Sequence, residues 1–317
     1  MKYLKEFNNH DAYAAFIVGA NFITPNVLLC NNEKHVHYNP YIPPVPVPEL
    51  LDILYSDTNG NLSFTSEVLP VSEGKTPIGL CIAPTGFFGE NEKARWMSLK
   101  YMNTTTPETG TLSTTSMIYW GNYGTDINTI DNIQITHIGG TNYSYLTAEW
   151  ITGTTDKIPS LFDENNNWNI SVLGTVNQYA VTDIDGKNKT DKILATATAQ
   201  ATWQTDTSII DNSGANYAPA ACCCARYHTL GTHAGDWYIG AVGEMSIIVV
   251  KRNEINEKLA AINTIYSNDC ITNINYGDYL TSTEYNNNSL YLVNTSMGDI
   301  CSDRKNSRIR SLAILQY

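Results

Sequence analysis

Between Asn39 and Pro48 the chain reads NPYIPPVPVP, and its five prolines (Pro40, Pro43, Pro44, Pro46 and Pro48) forbid more structures than any other segment of the sequence. Each proline fixes its own φ, lacks an N–H and pushes the preceding residue toward extended backbone. Neither a helix nor an inner strand passes through such a run, which leaves an extended, polyproline-like strap. Upstream, NNHDAYAAFI predicts one short amphipathic helix: Asn8 or Asn9 can cap it, Asp11 suits its first turn, and Tyr13, Phe16 and Ile17 recur at helical spacing. A strap has few groups with which to fold on itself. Residues 1–48 therefore read as a proline-rich attachment or oligomerisation arm that lies against something larger, such as a neighbouring subunit, with Tyr38, Asn39, Pro40 and Tyr41 as its attachment residues.

Beyond Leu50 the texture changes to short strands and turn signals. Asn59-Gly60 separates two strand-like runs in LLDILYSDTNGNLSFTS, so 49–74 reads as a hairpin connector. KTPIGLCIAP and ARWMSLKYM read as buried strands around TGFFGENEK and open a domain over 75–317, with a Thr- and Asn-rich, β-rich insertion at about 103–181. Further on, DIDGKNKTDKIL is a turn leading into an apolar-periodic segment, APAACCCA a short helix and DWYI a strand. Apolar positions at Met245, Ile248, Val249, Ile255, Leu259 and Ile262 predict one or two helices with a buried face, and DYLTSTEY, SLYLVNTS and SRIRSLAIL read as strands. Only 16% of residues are charged, and Thr, Tyr, Asn and Gly favour pleated surfaces and turns over surface helices. The expected class is α+β, with short strands and two or so helices.

A formal net charge of -12 argues against sequence-independent binding to nucleic acid, whose phosphates need a basic counter-surface. The one dense cationic cluster, SDRKNSRIRS from Ser302 to Ser311, places Arg308 and Arg310 on one face of a terminal strand, where hydrogen bonds to nearby carboxylates are expected. No apolar run is long enough to span a membrane, which predicts a soluble chain made in a cytoplasm. Seven cysteines, three of them consecutive at Cys222, Cys223 and Cys224, do not make a disulfide framework.

Candidate sites follow from residue type. DTNGN (Asp57–Asn61) and DIDGKN (Asp183–Asn188) place oxygen ligands near a glycine, but neither completes a calcium loop, and turn chemistry accounts for both. Cys222, Cys223 and Cys224 with His228 and His233 offer zinc-ligand chemistry without zinc-ligand spacing, so a small-residue helix packed on a sheet is the expectation and no metal is assigned. Glu244 and Glu284 are the two carboxylates that could act as a glycosidase-like acid and base. Each sits at a strand junction where a glutamate accepting backbone N–H bonds is a common fastener, and Glu244 is placed to meet the positive end of a helix dipole. No catalytic residue and no cofactor is assigned.

The order DGKNKT, PAACCCARY, GDWYIGAVGEM, DYLTSTEYN and RIRSL resembles the C-type-lectin-like domain of Bacteroides-group bacteria and their phages, with its DG..NT, AA..C..Y, WYLP..GEL, YWSSTEY and VRAV motifs. The residues that carry this resemblance are Trp237, Tyr238, Glu244, Ser282, Glu284, Arg308 and Arg310; Gly240 stands where the family has proline, and Leu280 where it has tryptophan. MKYLKEF, PNVLLC and VHYNPY are similar to the N-terminal segment of virion structural proteins of crAss-like bacteriophages. Together these resemblances imply a non-enzymatic virion protein, a head-fibre or capsid-decorating protein assembled in the bacterial host cytoplasm, that displays a lectin-like domain. They imply a homotrimer, contacts with capsid or tail proteins, and a host surface glycan as ligand. Tyr119, Trp120, Tyr123, Tyr143, Tyr145 and Trp150 are the aromatics that either stack on sugar rings or belong to the core. The alternatives are a tail receptor-binding component, a decoration protein without ligand and, last, a glycan-active enzyme.

Overall fold

The computed structural model describes residues 46–89, 91–121, 124, 144–145, 183–196, 203, 209, 211, 217–267, 269–296 and 299–317. The chain divides into two units, Met1–Val47 and Pro48–Tyr317, and nearly all described residues belong to the second. The arm helix, most of the strap, and Tyr38, Asn39, Pro40 and Tyr41 lie outside the described residues.

The strands of the second unit are β1 (Ile53–Asp57), β2 (Leu62–Thr65), β3 (Lys75–Ala83), β4 (Arg95–Tyr101), β5 (Ile118–Tyr119), β6 (Ser144–Tyr145), β7 (Trp237–Ile239), β8 (Asp278–Glu284), β9 (Ser289–Asn294), β10 (Asp299–Arg304), β11 (Arg308–Ile309) and β12 (Leu312–Gln316). Its helices are α1 (Gly186–Thr196), α2 (Pro219–Arg226), α3 (Val242–Val250) and α4 (Arg252–Tyr266). Six strands form an antiparallel sheet in the order β2-β1-β3-β4-β12-β7; four more pair as β6-β10-β9-β8, and β11 pairs with β5. The class is α+β.

The six-stranded sheet separates two apolar layers, and the period-2 alternation of its strands feeds both. Ile53, Leu80, Met97, Tyr238, Leu312 and Ile314 face one layer with Val242, Ile248, Ile255, Leu259 and Ile262 of α3 and α4. Leu54, Cys81, Trp96, Trp237, Ile239, Ala313 and Leu315 face the other with Ile193 of α1 and the cysteines of α2. A strand covered on both sides needs no polar face, which is why LAIL in β12 is continuously apolar. Helix α3 is buried from Val242 to Val249 and apolar nearly all round, whereas α4 buries only Ile255, Leu259 and Ile262, one stripe at helical spacing.

Four readings change. The β1–β2 hairpin is part of the sheet, since β1 pairs with β3 from Ile53↔Leu80 to Asp57↔Lys75, so 49–74 is not a connector. Among the described residues there are four helices, not two or so: APAACCCA forms α2 as expected, and α1 is the addition, rich in Lys and Thr that leave its helical character faint. The terminal run SRIRSLAIL is not one strand: it leaves β11 after Ile309 and enters β12 at Leu312, serving two sheets. The start of the supposed insertion, 103–121, carries β5 and core residues, and DICSDR forms β10, which its polar composition hides.

Candidate functional site

Two of the recognised stretches meet at the N-terminus of α3. Gly240 O accepts the Ser282 N–H at 2.9 Å, and the Val242 N–H donates to Thr283 Oγ1 at 3.0 Å. Thr283 Oγ1 in turn donates to Asp183 Oδ2 at 2.5 Å; the same oxygen takes Lys189 Nζ at 2.7 Å, and Asp183 O takes the Gly243 N–H at 2.8 Å. Helix starts leave N–H groups without intrahelical partners, and here the Thr283 side chain satisfies that of Val242 and the Asp183 backbone carbonyl that of Gly243. Glu244 finishes the arrangement: Oε2 accepts the Ala241 N–H at 2.8 Å, while Oε1 accepts Tyr238 Oη–H at 2.8 Å and Arg95 Nε–H at 2.6 Å. Arg95, on β4 and itself buried, also donates to Lys93 O and to Glu92 Oε2.

Gly186 opens α1 against this carboxylate, and a Cβ there would come within 2.4 Å of Glu244 Oε2 and 2.7 Å of both Ala241 N and Ile239 O. Gly240 is covered by Met245 and Ile314, whose side-chain atoms lie within 3.0 Å of where its Cβ would stand.

Burial pushes the Glu244 carboxyl from the ordinary 4.5 up to about 7, against the opposing pull of Arg95, the Ala241 N–H and the Tyr238 hydroxyl. Its folded-state value lies above the unfolded one, so between those two pH values the folded protein binds more proton and stability falls as pH rises. The contribution is fully present below about pH 4.5 and lost as pH passes about 7. Urea midpoints of the wild type should therefore fall across this window, with a component missing in Glu244→Gln. A slope identical in that variant would reject the assignment.

Glu284 is fully buried, yet its partner is a side chain rather than the expected backbone N–H: Oε1 is paired with Nζ of Lys305, which is also fully buried. Lys305 thus leaves the cationic cluster and enters the interior. Its Nζ lies 5.0 Å from the centre of the Trp120 ring, and Trp120 Nε1–H donates to Thr281 O at 2.9 Å. Trp120 is therefore core, not a sugar platform. Tyr123, Tyr143 and Trp150 lie outside the described residues, and Tyr145 is described only as the end of β6.

Tyr119 is half-buried under the Arg308 guanidinium, which stands 5.3 Å from its ring centre and pairs with Asp211. Arg308 thus meets a carboxylate as expected. Arg310 does not: it donates to the backbone carbonyls of Thr114 (2.9 Å) and Tyr276 (3.4 Å), since its neighbours are turns. Beside Arg308 lies a shallow depression of about 310 Å³, lined by Asn103, Thr104, Thr105, Thr115, Ser116, Met117 and Ile118. Asn103 Oδ1 accepts the N–H groups of Thr105 and Thr106, and Ser116 Oγ donates to Met102 O, so the polar rim is held in place by its own turns.

The three adjacent cysteines are buried along α2. Burial raises the Cys224 thiol to about 12 and Cys223 well above its usual range, as expected of packing groups rather than thiolate ligands. His228 Nδ1 contacts Arg226 O, and His233 is exposed beside Asp236. Among the described residues no cluster of three or more His, Cys, Asp or Glu side chains is placed to hold a metal ion. Asp57 accepts the N–H groups of Asn59 and Asn61, and Asp185 the Asn188 amide, which is turn chemistry in both loops. No helix among the described residues is long and apolar enough to cross a membrane.

The partners that sequence reasoning missed are Arg95, Asp183, Thr283 and Lys305. A charged residue opening an apolar strand, as in ARWMSL, was the available signal for Arg95; for Lys305 there was none.

No protein-family description matches the chain, and no curated protein matches it. Among solved structures, a fimbrial protein from Bacteroides ovatus is similar at 15% sequence identity with a TM-score of 0.43, the match covering 85% of this chain and 49% of that one. This chain therefore spans about half the length of that protein.

Proposed function

We propose that this chain is a non-enzymatic bacteriophage virion protein, a head-fibre or capsid-decorating protein, whose C-type-lectin-like domain takes a host surface glycan in the depression beside Arg308. The observation that carries this reading is the depression itself: hydroxyls and an amide on a rim braced by turns, two apolar residues in its lining, and a guanidinium stacked on an aromatic ring. Sugars are bound by such a mixture, because hydroxyls and amides match ring hydroxyls while apolar and aromatic faces cover C–H surfaces. A volume of about 310 Å³ suits one or two sugar rings rather than a long chain. The non-enzymatic half draws support from Glu244 and Glu284, both buried and engaged by Arg95 and Lys305 instead of facing a cleft.

The test is binding of the purified full-length chain to Bacteroides-group cells and their isolated surface polysaccharides, with purified phage particles probed for the chain in parallel. Arg308→Ala should weaken binding by about tenfold, the usual worth of a charged hydrogen bond, while Arg252→Ala, which stacks on Tyr276 elsewhere, should not. Particles that contain the chain without any glycan binding would favour a decoration protein. Absence from particles would sink the virion reading, and polysaccharide cleavage would revive the enzyme.

A further inference from the structure

Glu284 and Lys305 are both fully buried and joined end to end through Oε1 and Nζ. Each is held by its own backbone. Glu284 closes β8 opposite Leu290 of β9, and Lys305, just after β10, donates its N–H to Asn288 O at 3.0 Å and accepts the Gly121 N–H at 3.1 Å. Trp120 walls the contact, and Glu284 Oε2 is buried without a hydrogen-bond partner among the described residues. That orphan oxygen does not suit a permanent ion pair. Two ions removed from water are compensated only when their remaining lone pairs and protons are satisfied as well. In such surroundings a proton moving from Nζ to the carboxylate converts the pair into a neutral amine beside a neutral acid.

We propose that Glu284 and Lys305 condense into an intramolecular isopeptide bond. The Nζ lone pair attacks Cδ of the protonated carboxyl; a C–N bond forms and a C–O bond breaks. The departing oxygen leaves as water, carrying its own proton and one from Nζ. No oxidant, reductant or activated co-reactant enters the balance. Fixed contact replaces encounter, and well-oriented intramolecular reactions reach effective concentrations of about 10⁵–10⁸ M. The product fits the site better than the reactants: the amide is neutral, and the loss of one carboxyl oxygen removes the surplus acceptor. Reversal requires water at a buried carbonyl. The link ties β8 to the turn after β10 across β9, which joins three strands of the four-stranded sheet covalently.

The intact mass of the full-length chain, purified and then denatured and reduced, decides the matter. It should fall one water, about 18 Da, below the sequence mass. Trypsin cuts after Lys258, Arg304 and Arg308, so the expected digest contains 259–304 joined to 305–308, uncut at Lys305. Location matters because Asp185-Gly186 can lose water by cyclisation. A loss mapped there, or the full sequence mass after several days in the folded state, overturns the proposal. Lys305→Arg has no nucleophilic amine and should regain the full mass; a water loss persisting in it is equally fatal. If that variant fails to fold, the wild-type mass and digest still decide.

Discussion

Glu244→Ala should lower the unfolding free energy of the full-length chain by about 3–5 kcal/mol, the usual cost of breaking a buried ion pair from one side. Three losses add. Among the described residues the Arg95 guanidinium keeps the partly exposed Glu92, the Lys93 carbonyl and the Phe88 ring, Tyr238 Oη loses its acceptor, and the Ala241 N–H is left unpaired at the start of a buried helix. Glu92→Ala is the matched control: it removes the other carboxylate of the same arginine from the edge of the site, where pairs are worth about 1 kcal/mol or less. Glu244→Gln separates charge from shape, since it resembles the protonated acid. Its cost should be smaller than that of alanine and should shrink as pH rises toward about 7, because the wild type itself is losing stability over that range. Urea unfolding followed by far-UV circular dichroism gives all three numbers. An alanine cost no larger than that of Glu92→Ala would mean that the helix start holds without its carboxylate.

The same residues explain how much of the fold was legible in advance. The hairpin at Asn59-Gly60 could be read because Gly60 adopts φ 83, a value that the dipeptide advertises, and α4 because its buried positions repeat at helical spacing. Glu244 was legible as a fastener from its place after a strand and two glycines. Its strongest partner was not, because Arg95 lies 149 residues away and nothing local marks a long-range pair. Lys305 shows the opposite failure. In a run with Arg304, Arg308 and Arg310 it reads as solvated charge, and only the pairing of β10 with β9 carries it inward to Glu284. Sequence alone leaves Trp120 between sugar platform and core, and the sheet decides it, because the Thr281 carbonyl takes its N–H. Local periodicity writes the elements, but the polar contacts that join them depend on topology.

Two buried tryptophans turn that distinction into a measurement. Trp237 Nε1–H donates to Thr232 Oγ1 at 3.0 Å, and its ring meets Tyr227 edge to face at 5.0 Å. Trp96, equally buried in the same apolar layer, has an Nε1–H without a partner among the described residues and packs tilted against Phe64. Trp237→Ala should cost about 3–5 kcal/mol, the range for emptying a large aromatic site. The phenylalanine variants are more telling. Trp96→Phe deletes a donor that no described residue satisfies, so part of its packing loss is returned as relief from a buried N–H, whereas Trp237→Phe forfeits a bond and leaves Thr232 without it. Trp237→Phe should therefore be the costlier of the two by about 1–2 kcal/mol. Thr232→Val strands the indole N–H of Trp237 and also removes the acceptor of the Thr229 N–H, so its cost of about 1–3 kcal/mol should shrink, but not vanish, in the Trp237→Phe background, and the difference reports the indole bond. Equal costs for both phenylalanine variants, or a Thr232→Val cost undiminished in that background, would assign the value of Trp237 to ring packing alone.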